Sequence, residues 1–304
     1  MSIFKIKIKP LAAGFLALLF LATACGKKAV GPEYRKEITV SGFLWGNQKI
    51  DSSHAILVAT TRPIAQVYDL QEAGIRGAEV SITDASTGMR TVLHDTPGRP
   101  GFYFNDSLTV VPKTAYTLRI RVDEMEVTAS TTVPPVLRLT TTLKRDTVNV
   151  VHQKDLSRNR PIFLDHESPD QIVLVDMFCN EPLENAEYIQ PFHKSHSKPE
   201  NQNEYDGGNN GPPRHIMGMA RIKEMVSPSY PDNRPVIDWY SSMLVFFGSN
   251  TLTVMAIDSN YHKVLYAEHP ELEGGIQGGI GRFGSMCGEK FEFRVIKEDE
   301  PVPY

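Results

Sequence analysis

Between Ile38 and Thr131 the chain is cut into short strand-like runs, each bounded by turn-forming residues: Ile38–Leu44, Ala55–Thr61, Ala78–Thr83, Thr91–His94, Gly101–Asn105, Tyr116–Val122 and Glu126–Thr131. Seven such runs in about 95 residues predict an N-terminal Ig-like β-sandwich. The alternation is clearest where Tyr116, Leu118, Ile120 and Val122 fall on one face while Thr117, Arg119 and Arg121 fall on the other, as in a half-buried antiparallel strand. Gly77 to Ile82, Gly88 and Gly101-Phe102-Tyr103 read as strand, turn, strand, turn, strand.

Pro134-Pro135 closes this block, because neither residue can donate a ladder hydrogen bond and each pushes its predecessor to extended geometry. The sandwich is therefore placed at residues 38–135 and a second, mostly β domain at 136–304. Within the latter, Leu137–Val151, Gln171–Phe178, Val236–Phe247 and Thr251–Ile257 have strand composition, whereas Asn180 to Arg234 reads as a long polar insertion. Asp258 is positioned to cap a short helix whose Tyr261, Val264 and Leu265 share one face. A glycine-rich stretch follows, then a terminal strand over Lys290–Lys297 with Phe291, Phe293 and Val295 inward. The fold class expected is all-β.

The first nine residues carry Lys5, Lys7 and Lys9 without an acid, and Leu11 to Leu21 is an almost unbroken apolar run. Eleven residues rise only about 16 Å as a helix, roughly half of a hydrocarbon core, so the run reads as an export signal and not a spanning helix. Leu21-Ala22-Thr23-Ala24-Cys25 has the form of a bacterial lipobox. Its cysteine would take a diacylglyceryl group through its thiolate, with residues 1–24 removed and 25–37 left as a tether. Losing those 24 residues removes three lysines and no acids, moving the formal charge from −4 to −7. With no basic face or Lys/Arg cluster, nucleic acid is excluded as a partner.

A lipobox, a Gly77-Ala78-x-Val80-x-Ile82 strand, a Gly101-x-Tyr103-Phe104 strand, Val133-Pro134-Pro135 and a late Gly278-Gly279-Ile280-Gly281-Arg282-Phe283-Gly284 together resemble a family of Bacteroidetes lipoproteins of unknown function. The likeness is specific at the glycine motif, generic over the sandwich, and does not extend to the insertion around residues 195–212. It implies an outer-membrane location and company with TonB-dependent transporters, and it implies no catalytic residues.

Gly279, Gly281 and Gly284 spell G-x-G-x-x-G, but only 20 residues follow, too few for the helix and strand of a dinucleotide-binding unit. These glycines instead read as tight turning before the last strand, with Phe283 in the core. His193 and His196, with Glu200 and Glu204 nearby, have a weak zinc-like spacing and read as solvated loop residues. Asp165, Glu167 and Asp170 flank Pro169 in an apparent turn and read as solvated carboxylates, not a glycosidase pair; Asp51-Ser52-Ser53 reads as an ordinary polar turn. No cofactor or metal is expected. Cys179 and Cys287 remain once Cys25 is acylated, and two readings stand: a disulfide in an oxidising compartment, or two separate buried thiols.

The expectation is a non-enzymatic binding or accessory lipoprotein, anchored through Cys25 to the outer membrane. Gly26 followed by Lys27-Lys28 favours the periplasmic face, since acidic export residues are missing there. The alternatives are an envelope or glycan hydrolase with its site in the C-terminal domain, and a structural or adhesive lipoprotein.

Overall fold

The computed structural model describes residues 34–141, 148–151, 161–182, 215–226, 234–237, 247–297 and 301. The first part of the chain forms β1 (Ile38–Trp45), β2 (Lys49–Ile50), β3 (Ile56–Thr60), α1 (Leu70–Ala73), β4 (Glu79–Asp84), β5 (Arg90–Asp95), β6 (Phe102–Thr109), β7 (Ala115–Val122) and β8 (Met125–Thr132). All seven expected strands are present, and the fold is all-β with few helices. The ladder β1-β3-β6-β5-β4-β7-β8 folds back on itself into a sandwich-like layer pair. Ile38, Val40, Val58 and Tyr103 pack from one side against Val80, Ile82, Leu118, Ile120 and Val127 from the other.

The strand pattern decides these contacts. On β7, Tyr116, Leu118 and Ile120 are buried, while Thr117 and Arg121 face solvent, where Arg119 and Arg121 grip Glu126 at 2.7 and 3.1 Å. Local turn chemistry sets the registers. Asp84 Oδ1 accepts from the Ser86 and Thr87 amides at 2.7 and 3.2 Å between β4 and β5, and Asp123 takes a positive φ of 52° in the two-residue turn that pairs Val122 with Met125. Buried Tyr103 is satisfied at its hydroxyl, which accepts from Ala78 N and donates to Ile75 O, both at 2.9 Å.

The rest of the chain adds β9 (Arg138–Thr141), β10 (Val148–Val151), β11 (Ile162–Asp165), β12 (Ile172–Cys179), β13 (His215–Arg221), a 3₁₀ turn (Ile222–Glu224), β14 (Val236–Ile237), β15 (Gly248–Ile257), α2 (Ser259–Tyr266), α3 (Pro270–Glu273), β16 (Ile276–Gln277) and β17 (Ile280–Lys297). A small sheet, β14-β11-β9, covers β12, β15 and β17. Between them lies a second core that includes Val173, Val175, Leu252, Val254, Phe293 and Val295. The reverse face of β12, β15 and β17 carries Leu174, Met255, Ile257 and Met286 beneath Phe43, Trp45 and Tyr261. Among the described residues no helix is long and apolar enough to cross a membrane.

Two expectations need correction. The polar stretch from Asn180 to Arg234 contains β13, paired antiparallel with β12 from Phe178 to Ile172, so part of it is sheet and not loop. Gly278 and Gly279 turn the chain between β16 and β17 as expected, but Gly281 and Gly284 lie within the terminal strand and not before it. β17 begins at Ile280, runs parallel to β1 from Thr39↔Ile280 to Trp45↔Met286, and continues antiparallel to β15 from Ile257↔Met286 to Gly248↔Val295. One strand thus serves both cores: Phe283 and Cys287 fill the first, Phe293 and Val295 the second.

Candidate functional site

The seam where β17 passes from one core to the other is held by a buried polar cluster. Asp258 caps α2 as expected, its Oδ1 accepting from Tyr261 N at 2.8 Å. Its Oδ2 accepts from Thr131 Oγ1, and that hydroxyl lies 2.6 Å from Ser285 Oγ, which donates to Thr132 O at 3.1 Å. Asp258 N donates to Ser285 O at 3.0 Å. Asn260 Nδ2 lies 2.8 Å from Ser130 O and 2.9 Å from Phe283 O, tying α2 to β8 and β17 at once. Burial pushes the Asp258 carboxyl above the usual carboxylate range, and the Thr131, Tyr261 and Ser285 hydrogen bonds oppose that shift.

A cleft of about 750 Å³ opens beside this cluster. One wall is the β7–β8 end (Thr117, Ser130, Thr132) and the other is Ser168, Gln171 and the start of α2, with Pro134 and Pro135 between. The proline pair expected as a domain boundary is therefore a wall of this cleft. The lining is rich in hydroxyls and carboxamides. Gln171 Oε1 is buried there without a hydrogen-bond partner among the described residues, and its Nε2 reaches Pro135 O only at 3.4 Å. The half-buried carboxyl of Asp258 in the cleft has both oxygens engaged within the protein, and Asp170 at the rim is paired with Lys223 at 2.7 Å.

The residues singled out in the sequence are dispersed. Cys25, with His193, His196, Glu200 and Glu204, lies outside the described residues. Cys179 and Cys287 are both buried and are not bonded to each other. Cys179 stands opposite Asn250 and Cys287 opposite Ala256, six residues apart along β15, or about 20 Å, whereas a disulfide needs Cα atoms within ~7 Å. Burial pushes the Cys287 thiol up to about 11. Asp165, Glu167 and Asp170 do not converge as a pair. Asp165 bonds Thr140 Oγ1 at 2.6 Å and Arg234 at 3.1 Å, Glu167 meets Lys113 at 2.5 Å, and Asp170 meets Lys223. Asp51 organises its turn by accepting from Ser53 Oγ and N at 2.6 and 2.9 Å, and the serine hydroxyl chiefly lowers its carboxyl to about 2. No group of three His, Cys, Asp or Glu side chains that could hold a metal ion occurs among the described residues.

The glycine motif has a steric role. Gly281 adopts φ 118°, and a Cβ there would collide with Val40 O on the paired strand; Gly278, at φ 81°, faces Glu126 O in the same way. Gly279 lies against Ile38 O, Gly284 lies against Asp258, and Phe283 is fully buried. What sequence reasoning missed is the Thr131–Asp258–Ser285 cluster, whose members are 127 and 154 residues apart in the chain. The one local signal was the helix cap at Asp258. Compared with protein-family models and with curated proteins, the chain matches none.

Proposed function

We propose that this chain is a lipid-anchored binding or accessory protein of the cell envelope, held by Cys25 on the periplasmic face of the outer membrane, working beside a TonB-dependent transporter and taking a neutral polar ligand in the cleft at the β8–α2 seam. The observation that carries the binding role is the composition of that cleft. Hydroxyls and carboxamides line it, its half-buried carboxyl, Asp258, is already committed to capping α2, and its charged residues Lys113 and Asp170 are paired with Glu167 and Lys223. Such a lining recognises hydroxyl or amide groups but offers no paired acid and base to cleave them. The lipobox supports the anchor, and the resemblance to Bacteroidetes lipoproteins supports the transporter.

The cleft is tested by measuring binding of a panel of neutral oligosaccharides and short peptides to the mature chain and to Ser130→Trp, which fills the cleft from an exposed wall position. Binding by the wild type that Ser130→Trp abolishes, at unchanged thermal stability, is the expected result. Hydrolysis of a panel member would identify the hydrolase instead. For the anchor, incorporation of radiolabelled fatty acid should be lost in Cys25→Ala, and equal incorporation in both proteins would sink it. Co-purification from gently solubilised membranes should recover the transporter.

A further inference from the structure

Where the chain enters the sandwich, an exposed loop carries several apolar side chains. The loop leaving β3 presents Ile64 at 106 % exposure, Val67 at 93 % and Tyr68 at 53 %. Its tip is a turn closed by Gln66 N donating to Pro63 O at 2.9 Å. The chain entry is fastened to the base of this loop. Tyr34 donates its hydroxyl to Thr61 O, Glu37 N donates to Thr61 Oγ1 at 3.0 Å, and Thr61 N donates to Glu37 O at 2.9 Å. The β7–β8 hairpin tip lies at the same end. Val122 and Met125 share a cleft of about 350 Å³ with Lys36, Thr60 and Glu72, and Met125 is 39 % exposed.

Three such side chains projecting from one loop are not explained by any contact within the fold, and the chain length outside it says what lies opposite. Tyr34 is nine residues from Cys25. Even fully extended, nine residues reach only about 30 Å, so a lipid on Cys25 keeps this end of the sandwich within that distance of the bilayer. We infer that the Ile64–Tyr68 loop is a second membrane contact, dipping its apolar side chains into the lipid interface beside the acyl anchor; this rests on the reading of Cys25 as the lipidated residue. Tyr68 has the amphipathic character favoured at that depth, with an apolar ring and a hydroxyl for the headgroups. The charges near the loop are mixed, with Arg35, Lys36 and Arg62 against Glu37, Asp69 and Glu72, and Arg62 lies 3.4 Å from Glu72. The partner surface is therefore the apolar part of a neutral bilayer, and binding should be insensitive to salt. The contact would fix the orientation of the sandwich on the membrane, which a single flexible tether cannot do.

The test uses the full chain, exported and acylated by the producing cell, with Ile64→Cys carrying an environment-sensitive fluorophore. The control is the same label at Val111→Cys. Val111 is half exposed and follows Val110, which bonds Asn47 just past the far end of β1. Both proteins are reconstituted into phosphatidylcholine vesicles whose acyl chains carry bromine as a quencher. The label at position 64 should shift to the blue and lose most of its emission, while that at 111 does neither. Fatty-acid label on Cys25 without quenching at 64 would overturn the loop contact alone, and would point to a protein partner if the probe were instead shielded in the presence of the transporter. Absence of fatty-acid label would overturn the anchor and this inference together.

Discussion

Substituting Gly281 with alanine isolates the demand that the β1–β17 pairing makes on the sequence. Two costs add. An L-residue at φ 118° is strained by about 1–3 kcal/mol. The new Cβ also meets Val40 O, a backbone atom that can yield only if β1 and β17 move apart, which loosens one or two ladder hydrogen bonds at about 1 kcal/mol each. Gly281→Ala should therefore destabilise by roughly 2–5 kcal/mol, a large part of an ordinary domain's stability. Gly284→Ala is the internal control. It has no positive φ, and its Cβ would come no closer than 3.0 Å to Asp258 Oδ1 and 3.1 Å to Tyr261 N, so a loss of about 1 kcal/mol is expected. Urea unfolding followed by far-UV circular dichroism gives both values from midpoints at a common slope. The reasoning fails if Gly281→Ala lies within 1 kcal/mol of wild type, or if Gly284→Ala is the more damaging of the two.

Other outcomes are equally specific. Because burial raises the Asp258 carboxyl, folding favours its protonated form, and its contribution to stability, read as the difference between wild type and Asp258→Asn, should fall as pH rises from the unfolded value of 3.8 through the raised folded value, against the opposite slope of lowered carboxyls such as Asp51 and Glu126. Asp258→Asn keeps a capping oxygen and should abolish that contribution, whereas Asp258→Ala should cost about 1 kcal/mol for the lost cap to Tyr261 N and about 1–3 kcal/mol more for the orphaned Thr131 hydroxyl; thermal melts at pH 4 and pH 7 distinguish them. Peptide mapping without reductant should find no Cys179–Cys287 cross-link, and a cross-linked peptide would contradict the register of β12, β15 and β17. Tyr103→Phe should lose about 1–3 kcal/mol in urea, since Ala78 N–H and Ile75 C=O would lose their shared buried partner.

Local rules made much of the first sandwich legible. Tyr116, Leu118 and Ile120 are buried because a period of two puts them on one face, and Asp258 caps α2 because its carboxylate reaches the amide three residues on. Pairing between distant segments leaves no such mark. Nothing in the period of Ile38–Trp45 says that its neighbour is Ile280–Met286, so Gly281 and Gly284 were read with Gly278 and Gly279 as a turn when they lie in close parallel pairing. β13 was passed over because its alternation, with Met217 and Met219 on one face against Gly218 and Ala220 on the other, is set among polar residues. The disulfide reading relied on the number of thiols in the chain, and a count carries no distance. The cleft is assembled from Thr132, Pro135, Gln171 and Asp258, four residues whose proximity exists only after the fold has formed.

The double service of β17 also bears on when the protein can fold. Domains ordinarily fold in the order they emerge, N-terminal first. Here Phe283, 148 residues after Pro135, is fully buried in the same core as residues of β1, β3 and β8, so the sandwich built by residues 38–135 keeps a gap in its centre until β17 is present. A segment in that state cannot lock early. If the chain is exported as proposed, threading through a pore as an extended polymer, such a core residue would act as a timer, holding the leading portion pliable until β17 has cleared the membrane.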